Sequence, residues 1–163
     1  MFNSCTSLTT APELPATTLN VFCYGYMFDN CTSLTSMPEL PATTCFESCY
    51  EGMFRSCTSL TTTVLNLQAT TLGKRCYTSM FENCTALTSM SELPATTCTE
   101  SCYEAMFRSC TSLTTTVLNL PATTLANSCY RGMFYDCTSL TTAPELPATT
   151  LANTCYRDMF RNC

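Results

Sequence analysis

Cysteine is the residue type in this chain whose number and spacing could do chemistry: there are fifteen in 163 residues, and no histidine. In 128–140, "SCYRGMFYDCTSL", Cys129 and Cys137 stand eight apart with a tyrosine, a methionine and a phenylalanine between them. A structural zinc site needs four ligands converging at about 2.3 Å, commonly from close Cys-x-x-Cys pairs. On a helix, cysteines eight apart are separated by roughly 12 Å, so neither a metal nor any cofactor is expected. A disulfide is the second reading, and a buried thiol packing as a small apolar residue is the third. Nucleophilic catalysis is poorly served: a Ser or Cys would depend on Lys74 or a carboxylate as base, and neither recurs beside a suitable partner. The expectation is therefore not an enzyme.

Recurrence decides between these readings. "CTSL" or "CTAL" begins at Cys5, Cys31, Cys57, Cys84, Cys110 and Cys137, and Cys163 opens a further unit, in steps of 26 or 27 residues. "MF" keeps the same phase at Met1, Met27, Met53, Met80, Met106, Met133 and Met159, and "CY" does so from Cys23 to Cys155. One fixed period over the whole chain is the signature of a solenoid, in which each unit completes its neighbour's core. The chain reads as one domain, 1–163, with six full coils and partial ends, either a piece of a longer protein or a unit that stacks end to end. Residues 31–83 resemble 84–136 more closely than single coils resemble each other, which points to duplication of a two-coil block.

The elements that position the cysteines follow from spacing. Leu125, Cys129, Met133 and Cys137 fall at i, i+4, i+8 and i+12, with Tyr130 and Phe134 as a second row, which predicts a helix of two to three turns. Thr123 or Thr124 would cap it, and the Asn, Ser or Asp before each "CTSL" cysteine suits a residue leaving it. The Thr-rich stretch that follows predicts one short strand per coil, stacked at about 4.8 Å into a parallel sheet. The expected fold class is thus α/β, a leucine-rich-repeat-like solenoid. Its core columns would be Cys23, Met27 and Cys31; Cys49, Met53 and Cys57; Cys76, Met80 and Cys84; Cys102, Met106 and Cys110; and Cys129, Met133 and Cys137. Reduced core thiols and no disulfide are expected, since an odd count leaves one thiol over. Bridges between equivalent residues of adjacent coils are the alternative, because coil spacing lies near the lower limit for bridged Cα atoms.

Two polar columns remain. Glu13, Glu39, Asn66, Glu92, Asn119 and Glu145 form either an acidic ridge for a cation or basic partner, and so the candidate ligand-binding residues, or a solvated ladder in which Asn interrupts Glu–Glu repulsion. Asp29, Arg55, Glu82, Arg108, Tyr135 and Arg161 mostly alternate in sign, and Glu51–Arg55 and Glu104–Arg108 add i, i+4 pairs, which together would set coil register. A net charge of −5 with only 12% charged residues and no Lys/Arg stripe argues against nucleic acid as a partner and equally against an anionic membrane surface. No window approaches the roughly 18 apolar residues of a membrane span, so no insertion is expected, and no signal or anchor is visible in this chain.

"MF-x-x-C" in seven in-phase occurrences, five of them continuing as "T-S-L" and one as "T-A-L", with a Thr- and Pro-containing middle, resembles the BspA-like leucine-rich repeats of bacterial surface proteins, whose units carry "MF-x-x-C-x-x-L" or "AF-x-x-C-x-x-L". The resemblance covers the whole chain. It implies a solenoid at the cell surface or outside the cell, or on a virion, that binds a protein or glycan in adhesion or as part of a phage receptor-binding protein. Self-association end to end into a filament is the structural alternative. The family's strand tends to read Leu-x-x-Leu/Ile-x-Leu/Ile, whereas this chain has "LTTAPEL", and only Leu65/Leu67 and Leu118/Leu120 recover Leu-x-Leu.

Overall fold

The computed structural model describes residues 1–61, 67–89, 92–114 and 120–163, and its coils stack in register along the chain. Each full coil has two sides. One is a ten-residue run of turns, at 21–30, 47–56, 74–83, 100–109, 127–136 and 153–162. The other is an extended segment that meets its neighbours through isolated parallel bridges, Thr10–Ser36, Leu40–Leu67, Thr44–Thr71 and Thr97–Thr124.

The expected helix is not formed, and none is formed among the described residues. Over 128–137 the backbone N–H groups alternate between two partners. Those of Cys129, Arg131, Met133, Tyr135 and Cys137 donate to the carbonyl three residues back, while those of Ser128, Tyr130, Gly132, Phe134 and Asp136 donate across to Asn153, Cys155, Arg157, Met159 and Arg161 of the next coil. Every backbone donor of the segment is satisfied without a helix or a sheet, which is what burial of the chain demands. Five cross-coil bonds at about 1 kcal/mol net each make the turn segment the seam that joins coil to coil.

The turns also explain the four-residue period. Ser128, Gly132 and Asp136 have φ of 57°, 58° and 60°, and the same positive φ recurs every fourth residue in the other coils, for example at Ser48, Gly52 and Ser56. A positive φ at the third residue is what a type II turn requires. Ser, Asn, Asp and Gly fill most of these sites, because short polar side chains and glycine tolerate the left-handed region best. The Asn, Ser or Asp before each "CTSL" cysteine therefore does adopt a left-handed conformation, from Ser4 to Asn162, though it closes a turn and ends no helix. Thr124, expected as a cap, instead bridges to Thr97.

Within each period of four, two residues face the core. Cys129, Tyr130, Met133, Phe134 and Cys137 are buried, and so are their counterparts from Cys49 to Cys57, Cys76 to Cys84 and Cys102 to Cys110. The rings stack from coil to coil. Phe2, Phe28, Phe54, Phe81, Phe107, Phe134 and Phe160 form one column with centroids 5.4–5.9 Å apart and planes within 8° of parallel. Tyr24 to Tyr156 form a second at 5.5–5.9 Å. Those separations fit offset stacking. Met27 and Cys31 are buried as expected, but Cys23 is exposed, because no other coil of this chain covers that side of it.

The strand side is only partly as expected. Parallel pairing is present, but as single bridges, since Pro12, Pro38, Pro41, Pro94 and Pro121 remove ladder donors from the stretch. Threonine supplies extra bonds there: both the N–H and Oγ1 of Thr35 donate to the Thr9 carbonyl, each at 3.3 Å, and Thr61 and Thr114 repeat this on Thr35 and Thr88. Leu67 and Leu120 are buried in the core. Leu65 and Leu118 lie outside the described residues.

Candidate functional site

The two sides differ in charge. All seven Lys and Arg residues belong to ion pairs on the turn side, with Asp29, Glu51, Glu82, Glu100, Glu104 and Asp158. The twelve carboxylates less these six leave Glu13, Glu39, Glu47, Glu92, Asp136 and Glu145, none of them in an ion pair among the described residues. Four of the six belong to the acidic column on the bridge side.

The turn-side pairs cross between coils. Arg55 grips Asp29 through Nε at 2.9 Å and Nη2 at 2.8 Å, Arg75 reaches Glu51 at 2.9 Å, Arg131 reaches Glu104 at 3.3 Å, and Arg108 reaches Glu82 at 3.8 Å. The expected i, i+4 pairs Glu51–Arg55 and Glu104–Arg108 are thus replaced, because stacking places a residue of the adjacent coil nearer than the next turn of the same one. Asp29, Arg55, Glu82, Arg108 and Tyr135 still act as a column: Arg108 and Arg161 lie over the Tyr135 ring at 4.9 and 5.5 Å. The hydrogen bond to Asp29 holds the Arg55 pKa above its ordinary value.

Glu13, Glu39, Glu92 and Glu145 are exposed, while Asn66 and Asn119 lie outside the described residues. The fold brings Glu13 and Glu39 to one open groove of ≈ 490 Å³ between adjacent coils, where Leu14, Pro15, Met37, Pro38 and Pro41 are among the other lining residues. Glu92 and Glu145 do not line it. The acidic column was readable from spacing, but its apolar floor was not. Two prolines and a methionine around "MPELP" are the only sequence signal for it, and they occur once with that composition.

The cysteines fall into two environments. Cys31, Cys57, Cys84, Cys110, Cys137 and Cys163 each donate the thiol proton to the Phe carbonyl of the preceding coil at 3.0–3.1 Å. Phe28, for instance, accepts both the Cys31 N–H and the Cys57 thiol, using both carbonyl lone pairs. Burial pushes the Cys57 and Cys137 thiols up to about 12, and Cys84 and Cys110 well above their usual value. The other environment is a cluster. Cys45 hydrogen-bonds with Cys49 and Cys76 and donates its thiol proton to the Tyr77 hydroxyl at 3.5 Å, and Cys98 hydrogen-bonds with Cys102 and Cys129. Its signal was the replacement of Leu19, Leu72 and Leu125 by cysteine at the equivalent positions in two coils. Among the described residues no group of three or more Cys, Asp and Glu side chains is disposed to hold a metal ion. The hydroxyls of Tyr50, Tyr103, Tyr130 and Tyr156 are buried and have no hydrogen-bond partner among the described residues.

No curated protein and no solved structure is similar to the chain. The model of the BspA type leucine rich repeat region matches it in six copies, over residues 1–80 and 26–163. With the repeat phase, the stacked coils and that match in agreement, the chain belongs to the BspA-type leucine-rich repeat family.

Proposed function

We propose that the chain is a non-enzymatic binding solenoid, part of a surface adhesin or phage receptor-binding protein, and that its bridge side receives a basic, partly apolar segment of a partner protein. The observation that carries this reading is the segregation of charge. Cations and their carboxylates neutralise each other along the turn side, and the surplus negative charge stands on the bridge side, where Glu13 and Glu39 flank an apolar-floored groove. A lysine or arginine side chain suits such a site, because its stem packs on apolar surface while its head reaches the carboxylates. Long-range attraction from unpaired carboxylates would also speed encounter with a basic partner.

The test is fluorescence anisotropy with a labelled peptide of alternating lysine and leucine, at low and at moderate salt. Glu13→Gln combined with Glu39→Gln is expected to weaken binding by about fivefold to tenfold at low salt, at up to ~1 kcal/mol per exposed pair, and by less as salt rises. Equal affinity for the parent and the double variant would remove the groove from the reading. Tighter binding of a leucine–glutamate peptide would remove the basic partner.

A further inference from the structure

Two aromatic columns run through the same core, and they differ by one oxygen per ring. The column from Phe2 to Phe160 is phenylalanine at all seven positions, and the column from Tyr24 to Tyr156 is tyrosine at all six. Phenylalanine stacks at the same spacing, so packing alone does not call for the hydroxyls. Tyr50, Tyr103 and Tyr130 are nonetheless fully buried, and their hydroxyls have no protein partner among the described residues. A buried hydroxyl without a partner destabilises a fold relative to the same ring without it, and native cores leave few such groups.

The ring spacing shows what would partner them. Tyr50 and Tyr77 have centroids 5.5 Å apart with planes 3° from parallel, and Tyr103 and Tyr130 are 5.5 Å apart at 5°. The coils beneath are in register, with the Tyr50 N–H bonded to the Cys76 carbonyl at 3.0 Å and the Tyr103 N–H to the Cys129 carbonyl at 2.9 Å, so the hydroxyls of each pair stand about one ring spacing apart. That is too far for one O–H···O bond and matches two placed end to end, at about 2.7–2.8 Å each. Cysteine supplies the room. Cys45 donates to the Tyr77 hydroxyl from 32 residues back, and Cys98 stands in the same relation to Tyr130. Other coils have Leu19, Leu72 and Leu125 in that place, two heavy atoms larger, a difference of about the ~30 Å³ that one water takes up. The rings do not close in to fill it: the spacing is 5.5 Å beside either cysteine and 5.6 Å between Tyr77 and Tyr103.

We propose that Cys45 and Cys98 each mark a buried water site, in which one water bridges the hydroxyls of Tyr50 and Tyr77 in the first and of Tyr103 and Tyr130 in the second. The water accepts from one hydroxyl and donates to the other, and the thiol lies beside it. Leucine fills the corresponding space between Tyr77 and Tyr103, which is dry. One site falls in each of the two-coil blocks 31–83 and 84–136, so the duplication carried cysteine, hydroxyls and water together.

Oxygen-17 relaxation dispersion counts long-lived waters, and melting temperatures report the hydroxyls. Cys98→Leu installs the residue that other coils carry and is expected to lose one long-lived water; Cys45→Leu is expected to lose one as well. Tyr103→Phe in the parent should lower the melting temperature by about 2–4 °C, because a paired hydroxyl is removed. In the Cys98→Leu background the same substitution should raise it, because the hydroxyl there has lost its water. A rise on Tyr103→Phe in the parent, an equal fall in both backgrounds, or an unchanged water count in Cys98→Leu would each overturn the proposal. The Tyr103→Phe measurement in the parent requires no change at Cys98 and stands by itself.

Discussion

Gly52→Ala and Gly132→Ala separate the two demands that the turn segment makes on a residue. Both glycines have left-handed backbones, with φ of +57° and +58°. A Cβ there costs about 1–2 kcal/mol, partly offset by about 0.4–1 kcal/mol from a less flexible unfolded chain. Ala105 already sits at the equivalent position with φ 53°. At Gly132 an added Cβ meets only the Tyr135 Cβ, at 3.8 Å, so the backbone penalty stands alone and the net loss should be about 1 kcal/mol. At Gly52 it would lie 2.4 Å from Cε1 and 2.6 Å from Cδ1 of Tyr26, and that ring must move. Moving it breaks the Tyr26 hydroxyl bond to Glu51 Oε1 at 2.8 Å and removes the ring from under the Arg55 guanidinium, 5.0 Å away. The first loss is about 1.5–3 kcal/mol for a bond to a charged group, and the second about 0.5–1, so Gly52→Ala should cost about 3–5 in all. Urea denaturation of both variants, of Tyr26→Ala and of the Tyr26→Ala/Gly52→Ala pair measures this. In the Tyr26→Ala background the Gly52→Ala loss should fall to that of Gly132→Ala. Equal losses for the two single variants, or no relief in the pair, would refute the reasoning.

Phe134→Ala should destabilise by about 3–5 kcal/mol, since Phe134 is buried between Phe107 and Phe160; an unchanged melting temperature would contradict its place in the ring column. Asp29→Asn should cost about 1–3 kcal/mol through loss of the two-pronged Arg55 contact. If Arg55 paired with Glu51 instead, thermal denaturation would register no change. Alkaline pH should also destabilise. Cys57 and Cys137 titrate at about 12 when folded and near their ordinary 9.0 when unfolded, so the unfolded state releases its protons first. Their contribution is fully present below pH 9 and is lost as pH rises through 12, which amounts to about 2 kcal/mol per thiol by pH 10.5. Equal urea midpoints at pH 7 and 10.5 would count against buried, protonated thiols.

The repeat, the stacking of its coils and the Cys, Met, Tyr and Phe columns of the turn side were legible in the sequence, because burial in a solenoid writes itself into the period, whereas the buried leucines and alanines such as Leu34, Leu60, Ala69 and Ala95 were not singled out. The helix was not, although the pattern held the evidence against it. In an α-helix each step of four residues turns about 40° past a full circle, so Leu125, Cys129, Met133 and Cys137 would drift around the surface. Their strict period of four, with Ser128, Gly132 and Asp136 in the adjoining phase, fits a chain that returns to the left-handed region every fourth residue. The ion pairs were misplaced for the same reason. Once the segment is a stack of turns, Asp29 of the neighbouring coil is nearer to Arg55 than Glu51 is. The acidic column was visible as spacing. The groove beside it depends on how "LTTAPELP" and "LTSMPELP" pack against each other, and neither stretch alone carries that information.

Backbone amide shift mapping by NMR during titration with the lysine–leucine peptide tests the proposed binding face most directly. The account predicts the largest changes at Glu13, Leu14, Glu39 and Leu40, with the ion-paired residues Asp29, Glu51 and Arg55 little affected. Changes centred on Asp29, Glu51 and Arg55, or none at saturating peptide, would contradict it.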